Sequence, residues 1–250
     1  RADSFNGTWQ YSGGPTYNVG AQIVVWGTNG FRIEDILMDS QFKVTSGDNG
    51  NMNPIVIQYC EDVQYVNNRV INISGHTYGN WWSYNRDCVI RDSYWSGDYN
   101  NASGNGTANA QELLEIVTGE NMKIENCTFE NAAGQGIYIY NSPFDGSPNN
   151  LTQVNGVQGI EIVNCTFDSL RYGVRAIQGN SATDYVFRGI KVRGSDFQNC
   201  SEYAAKFETT LVNEATVTEH LRDVWVTGSQ FDLNDQSLSF YIVDSAFVKM

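Results

Sequence analysis

Residues 119–131, GENMKIENCTFEN, and 157–169, VQGIEIVNCTFDS, lie on one another without a gap. The same template takes in FRGIKVRGSDFQN (187–199) and LRDVWVTGSQFDL (221–233). Three earlier segments join it: TNGFRIEDILMDS (28–40), CEDVQYVNNRVIN (60–72) and NRDCVIRDSYWSG (85–97). Successive copies start 25 to 38 residues apart, so the strands and one tight turn stay constant while loops absorb the difference in length. That is how a solenoid accepts insertions.

Within the template, one position holds Phe31, Val63, Cys88, Met122, Ile160, Ile190 and Val224, and two residues later come Ile33, Tyr65, Ile90, Ile124, Ile162, Val192 and Val226. A period of two is that of a half-buried strand. Two residues further sit Asp35, Asn67, Asp92, Asn126, Asn164, Gly194 and Gly228. All belong to the small group that tolerates a left-handed backbone, which predicts a sharp corner repeated in every copy. Three residues beyond the corner come Met38, Val70, Trp95, Phe129, Phe167, Phe197 and Phe231, predicted to point inward from the next strand. Small residues such as Ser93, Cys127, Cys165, Ser195 and Ser229 separate corner from aromatic.

A further set of strands precedes each copy: GAQIVVWG (20–27), NPIVIQYC (53–60), NWWSYN (80–85), ELLEIV (112–117), GIYIY (136–140), YGVRAIQ (172–178), AAKFET (204–209) and SLSFYIVD (237–244). The expected fold is all-β: a right-handed parallel β-helix of about eight turns with three parallel sheets. Residues 1–19 read as a lead-in segment and 20–250 as one domain. Strand, Asn corner, strand with inward Phe, loop and third strand together resemble the pectate-lyase-like superfamily over about residues 20 to 250.

Composition agrees: Asn, Gly, Ser, Thr, Val, Ile and aromatics are plentiful, and helix formers are scarce. A formal charge of −13 argues against nucleic acid or an anionic membrane as partner, because phosphate binding needs a basic face. No apolar run is long enough for a spanning helix, so membrane insertion is not expected. The chain opens on Arg1 rather than Met, which reads as a processed chain or a piece of a longer one.

Five cysteines, Cys60, Cys88, Cys127, Cys165 and Cys200, form no C-x-x-C and announce neither a disulfide framework nor a zinc site. Cys127 and Cys165 are expected as stacked, buried, inert thiols. Sequons begin at Asn6, Asn72, Asn101, Asn105, Asn126, Asn150, Asn164 and Asn199, which leans toward a secreted, virion-surface or cell-surface glycoprotein. Asn126 and Asn164 are corner residues, so Asn72, Asn101, Asn105, Asn150 and Asn199 are the better glycan acceptors.

The resemblance implies that chemistry, where present, lies on the outer face of the first sheet, between loops 39–53, 70–80 and 95–110 on one side and 141–156, 178–188 and 209–221 on the other. With Leu114, Ile116, Ile137, Ile139, Val174, Ala176, Ala205 and Phe207 inward, alternation places Glu115, Tyr138, Arg175 and Lys206 outward in one column, with Tyr140 and Glu208 beside it. Lys206, Arg175 and Tyr138 are the candidate catalytic residues. A cation for a uronate, a base for the α-proton and an acid for the leaving oxygen are what β-elimination needs, and some lyases of the resembled family use Lys and Arg on neighbouring turns. Glu115, Tyr140, Trp82, Tyr84 and Glu208 are candidate substrate-binding residues, and Trp26, Trp82, Tyr84, Tyr138 and Tyr140 read as outward rings suited to sugar stacking. Trp81 and Trp82 can equally wedge loop 95–110 against the coil. No metal site is assigned; calcium is the cofactor the resemblance leaves open, although its acidic cluster is not recognisable.

The related polygalacturonase pattern is poorly matched: Ser74-Gly75-His76 lacks the second Gly, and Arg188-Gly189-Ile190-Lys191 has the wrong spacing. His76 and His220, the only histidines, read as loop residues. Two functions remain open. One is a β-helix that binds, and cleaves by β-elimination, a polysaccharide, as lyases and tailspikes do. The other is a structural subunit of a filament, stalk or coat, assembled as a trimer or head-to-tail stack, because no helix before residue 20 and no polar cap at FVKM closes the coil.

Overall fold

The computed structural model describes residues 8–10, 16–20, 23–39, 51–52, 54–73, 78–97, 112–141, 156–178, 186–209, 222–232, 238–243 and 246–249. The chain winds as a right-handed parallel β-helix, and no helical segment occurs among the described residues. In the first sheet Ile23, Ile55, Asn80, Leu114, Ile137, Val174, Ala205 and Phe240 stand in one continuous parallel register. The second sheet stacks Ile33, Tyr65, Ile90, Ile124, Ile162, Val192 and Val226. The third stacks Met38, Val70, Trp95, Phe129, Phe167, Phe197 and Phe231. Strands Thr8–Gln10 and Thr16–Gly20 pair antiparallel, and the latter runs parallel to Asn51–Met52 in a small separate sheet.

The inward columns meet in one core. Leu114, Ile116, Ile137, Ile139, Val174, Ala176, Ala205 and Phe207 are fully buried, as alternation requires. On the third sheet the rings stack face to face: Trp95 on Phe129 at 4.8 Å, Phe129 on Phe167 at 5.2 Å, Phe167 on Phe197 at 4.7 Å and Phe197 on Phe231 at 5.2 Å. Each such side chain, buried against neighbours above and below, contributes about 1.5–3 kcal/mol. Phe31 departs from the expected inward position and is 39% exposed. Its turn is paired on one side only among the described residues, so its ring has a neighbour on one side.

The corners are more numerous than the single one read from the template. Asp35, Asn67, Asp92, Asn126 and Asn164 have φ between 51° and 59°, with Gly194 and Gly228 continuing the column. A second left-handed column runs Gly30, Asp62, Asp87, Asn121, Gly159, Gly189 and Asp223, and a third includes Asn72, Asn131, Ser169 and Asn199. A fourth, where the first sheet ends, holds Gly27, Tyr59, Tyr84 and Thr118. Amides tie these columns along the coil: Nδ2 of Asn67 donates to Asp35, of Asn126 to Asp92, and of Asn121 to Asp87.

Just past the corner the small residues cap backbone groups of the neighbouring turn. Ser93 Oγ accepts from the Asn68 N–H at 3.1 Å and Ser195 Oγ from the Cys165 N–H at 3.2 Å. Cys127 and Cys165 occupy the same buried column, and all five cysteines are buried thiols outside any disulfide. Burial, then the adjacent Cys165 thiol, pushes the Cys127 thiol far up, and burial pushes Cys88 and Cys200 up to about 12. These thiols are inert fillers.

Candidate functional site

Three outward columns cross the first sheet between Glu112–Glu125, Thr128–Asn141, Thr166–Gln178 and Tyr203–Thr209. The middle one is the column expected from alternation, Glu115, Tyr138, Arg175 and Lys206, preceded by Trp81. Beside it run Val117, Tyr140, Ile177 and Glu208. On the other side stand Glu112, Gln135, Tyr172 and Tyr203.

Glu208 joins the two cations. Its Oε1 accepts from Arg175 Nη2 at 2.7 Å and Nε at 3.1 Å, while its Oε2 meets Lys206 Nζ at 2.8 Å. Burial works to raise the Glu208 carboxyl, but the hydrogen bonds and charges of Lys206 and Arg175 outweigh it and hold the group below the usual range. On its far side, Arg175 Nη1 donates at 3.1 Å to Gln135, oriented so that its own amide N–H donates to Glu112 Oε1 at 3.1 Å. A continuous relay therefore runs Glu112, Gln135, Arg175, Glu208, Lys206 across neighbouring strands.

Glu112 is the residue that sequence reasoning missed. Strict alternation would set Glu112 and Glu115 on opposite faces, being three apart. Instead Leu113 and Leu114 are both buried in the core, a break in alternation that brings the two glutamates to the same side. The signal available was the pair of carboxylates in the apolar run ELLEIV. Glu112 is buried, and its Oε2 has no hydrogen-bond partner among the described residues. Burial raises its carboxyl to about 7, against smaller opposing effects of its own backbone N–H and of Arg175. Glu115, at 7% exposure, is driven well above the ordinary carboxylate range by burial and then by the charge of Glu112.

Tyr138 is also raised, by burial above all, so its phenol stays protonated. Its ring lies 6.1 Å from that of Tyr140 and 5.8 Å from the Arg175 guanidinium. Tyr172 and Tyr203 stack at 5.8 Å, and Lys206 Nζ lies over both rings. Tyr172 Oη donates to Glu202 Oε2 at 2.5 Å, and Arg171 Nε to Glu202 Oε1 at 2.5 Å. Burial and the bond to Glu202 push the Tyr172 phenol up to about 12.

Two expected binding residues are elsewhere. Trp82 is not outward: it is fully buried in register with Ile57 and Ile116, and the neighbouring Trp81 takes the outer column. Two adjacent tryptophans leave the phase of a strand undecided, and the aliphatic ladders above and below decide it. Tyr84 is a left-handed corner residue, buried, with its ring stacked on Tyr59 at 5.0 Å, so its face is covered by protein. Trp26 does lie outside, edge-on to Tyr59 at 4.7 Å.

Asn72 and Asn199, preferred as glycan acceptors over the corner asparagines, are corner residues themselves. Asn72 Nδ2 donates to Asp39 at 2.7 Å and Asn199 Nδ2 to Asp168 at 2.8 Å, so the distinction from Asn126 disappears. Asn101, Asn105, Asn150, His76, His220 and most of the flanking loops lie outside the described residues. Among the described residues no group of three or more His, Cys, Asp or Glu is placed to hold a metal ion, and no role is assigned to calcium. No helix among them is long and apolar enough to cross a membrane.

No family model matches the chain, and no curated protein sequence matches it. Among solved structures it is similar to a catalytic domain of GH87 alpha-1,3-glucanase in complex with tetrasaccharides, at 14% identity and a TM-score of 0.41, over 90% of this chain and 56% of that one. A second such complex gives 13% identity and a TM-score of 0.37 over 88% and 55% of the respective chains. A complex with nigerose gives 13% and 0.30 over 88% and 55%. The chain spans little more than half the length of these domains.

Proposed function

We propose that the outer face of the first sheet binds a uronate-containing polysaccharide and cleaves it by β-elimination. The observation that carries this reading is the set of ionisable groups that lie outside the core yet are buried, with carboxyls pushed in opposite directions: Glu112 up to about 7 and Glu208 down. Such divergence separates a proton-transfer group from a fixed counter-charge.

Arg175 meets the substrate carboxylate and stabilises the charge that develops as the α-proton leaves. Glu112, its carboxyl raised to about 7 and linked to Arg175 through Gln135, takes that proton. The electron pair of the C–H bond forms the new C=C bond, the C–O bond to the leaving sugar breaks, and Tyr138 supplies the proton to the departing oxygen. Lys206, paired with Glu208, assists in charge rather than as the base. Tyr140, half-buried at the edge of this face, offers its ring to a flanking sugar. This role suits a secreted, virion-surface or cell-surface protein.

The test is incubation with alginate, pectin and glycosaminoglycans while the absorbance of unsaturated uronates is followed. Glu112→Gln is expected to lower kcat by about 10²–10⁴-fold, the usual contribution of a positioned acid or base. New reducing ends without the absorbance would replace elimination by hydrolysis. Full activity in Arg175→Ala with Lys206→Ala would remove the assigned roles. A structural role in a stack of subunits draws on one observation, the exposure of Val24 at 44%, Phe31 at 39% and Leu37 at 65% on the first described turn of the coil. Mass measurement in solution, with long assemblies as the positive result, tests it.

A further inference from the structure

The second sheet carries an uneven distribution of charge. Of the chain's 15 basic residues, Arg188, Lys191, Arg193, Arg222 and Lys249 fall on three adjacent strands, Val186–Arg193, Arg222–Thr227 and Ala246–Lys249. Backbone register sets Arg188 beside Arg222, Arg193 beside Thr227, and Lys191 beside Trp225, which in turn is paired with Lys249. Trp225 is 40% exposed on this face, the remaining inward residues Val224 and Val226 being buried beneath it. The opposing acids are Glu161, which accepts from Lys191 Nζ at 3.0 Å and Arg193 Nη2 at 2.9 Å, and exposed Asp223; Gln158 accepts from Arg188 at 2.9 Å and 3.1 Å. In a chain of formal charge −13, Arg188, Lys191 and Arg193 gather on one strand beside an exposed indole, against Glu161 and Asp223.

We propose that this face is a second carbohydrate-binding surface, separate from the first-sheet site, which takes an acidic polysaccharide with a sugar ring on Trp225 and its sulfates or carboxylates on Arg188, Lys191 and Arg193. Arg188, Lys191 and Arg193 follow one another along a single strand, at about 3.3 Å per residue, which suits a polymer that lies along that strand and bears anions along its length. The indole discriminates for sugar, because a flat apolar ring adds nothing to binding by charge alone.

Titration of the whole protein with a heparin octasaccharide at low salt, read by tryptophan fluorescence, tests the proposal. A saturable change is expected, weakened about tenfold in Arg188→Ala and in Trp225→Phe for affinity and signal respectively, and suppressed by salt. Glu161→Gln is expected to tighten binding severalfold, since it releases Lys191 and Arg193, an effect that loss of structure would not produce. Neutral dextran gives no change. Absence of binding, equal binding by all the variants, or equal binding by an oligothymidylate would overturn the proposal. Glu112→Gln retains this binding and Arg188→Ala retains any uronate cleavage, so failure at one surface is distinguishable from failure at the other.

Discussion

A single asparagine illustrates how the coil is specified. Asn126 has φ of 54°, a region closed to branched side chains, and its amide donates to Asp92 on the turn before. Asn126→Val is expected to destabilise the fold by about 1–2 kcal/mol in chemical denaturation; an unchanged midpoint would remove the corner assignment. This corner was legible because Asp, Asn and Gly alone occupy its column. The corners at Tyr59, Tyr84 and Thr118 were not, since nothing in those side chains favours positive φ. Tertiary packing imposes it there, with Tyr84 held on Tyr59 and Thr118 fully buried. Glu112 was hidden for a similar reason: alternation predicts faces only while it is kept, and Leu113 and Leu114 break it by both entering the core.

At the scale of the element, the third-sheet stack is the feature on which the coil's cohesion depends most directly. Phe167 has rings of Phe129 and Phe197 on either side at 5.2 and 4.7 Å and no exposure. Phe167→Ala leaves a cavity bounded by both neighbours and is expected to cost about 3–5 kcal/mol, whereas Phe231→Ala, on a ring that is only partly buried, costs less. Comparison of the two by urea unfolding checks the ranking. Inward aromatics three residues past a turn were readable in sequence because their spacing is invariant. The Trp81 and Trp82 pair was not, as both residues satisfy either phase.

Taken as a whole molecule, the first-sheet cluster makes stability depend on pH in a defined sense. The Glu112 carboxyl is raised in the folded state from 4.5 to about 7, so the folded protein binds more protons than the unfolded chain between those values. Its contribution is complete below about pH 4.5 and is lost as pH rises through 7, at up to about 1.4 kcal/mol per pH unit. Glu115 acts in the same direction. Glu208 acts oppositely: its lowered carboxyl contributes above the unfolded value and is lost as acid protonates it. Melting temperatures across pH 4.5 to 7 are expected to fall with rising pH, and Glu112→Gln to flatten that slope; an identical slope in the variant would contradict the burial of a neutral carboxyl.

The ladders have one more consequence. In all three sheets the backbone hydrogen bonds between turns point along the coil, as with Gln64 N to Phe31 O and Val89 N to Val63 O on one sheet and Thr166 N to Cys127 O on another. Lengthwise tension therefore acts on these bonds head-on and one turn at a time. Under such load the molecule is expected to unspool like thread, in a series of small yields that each release the 25 to 38 residues of one turn. A sideways load meets every turn together and finds a stiff rod.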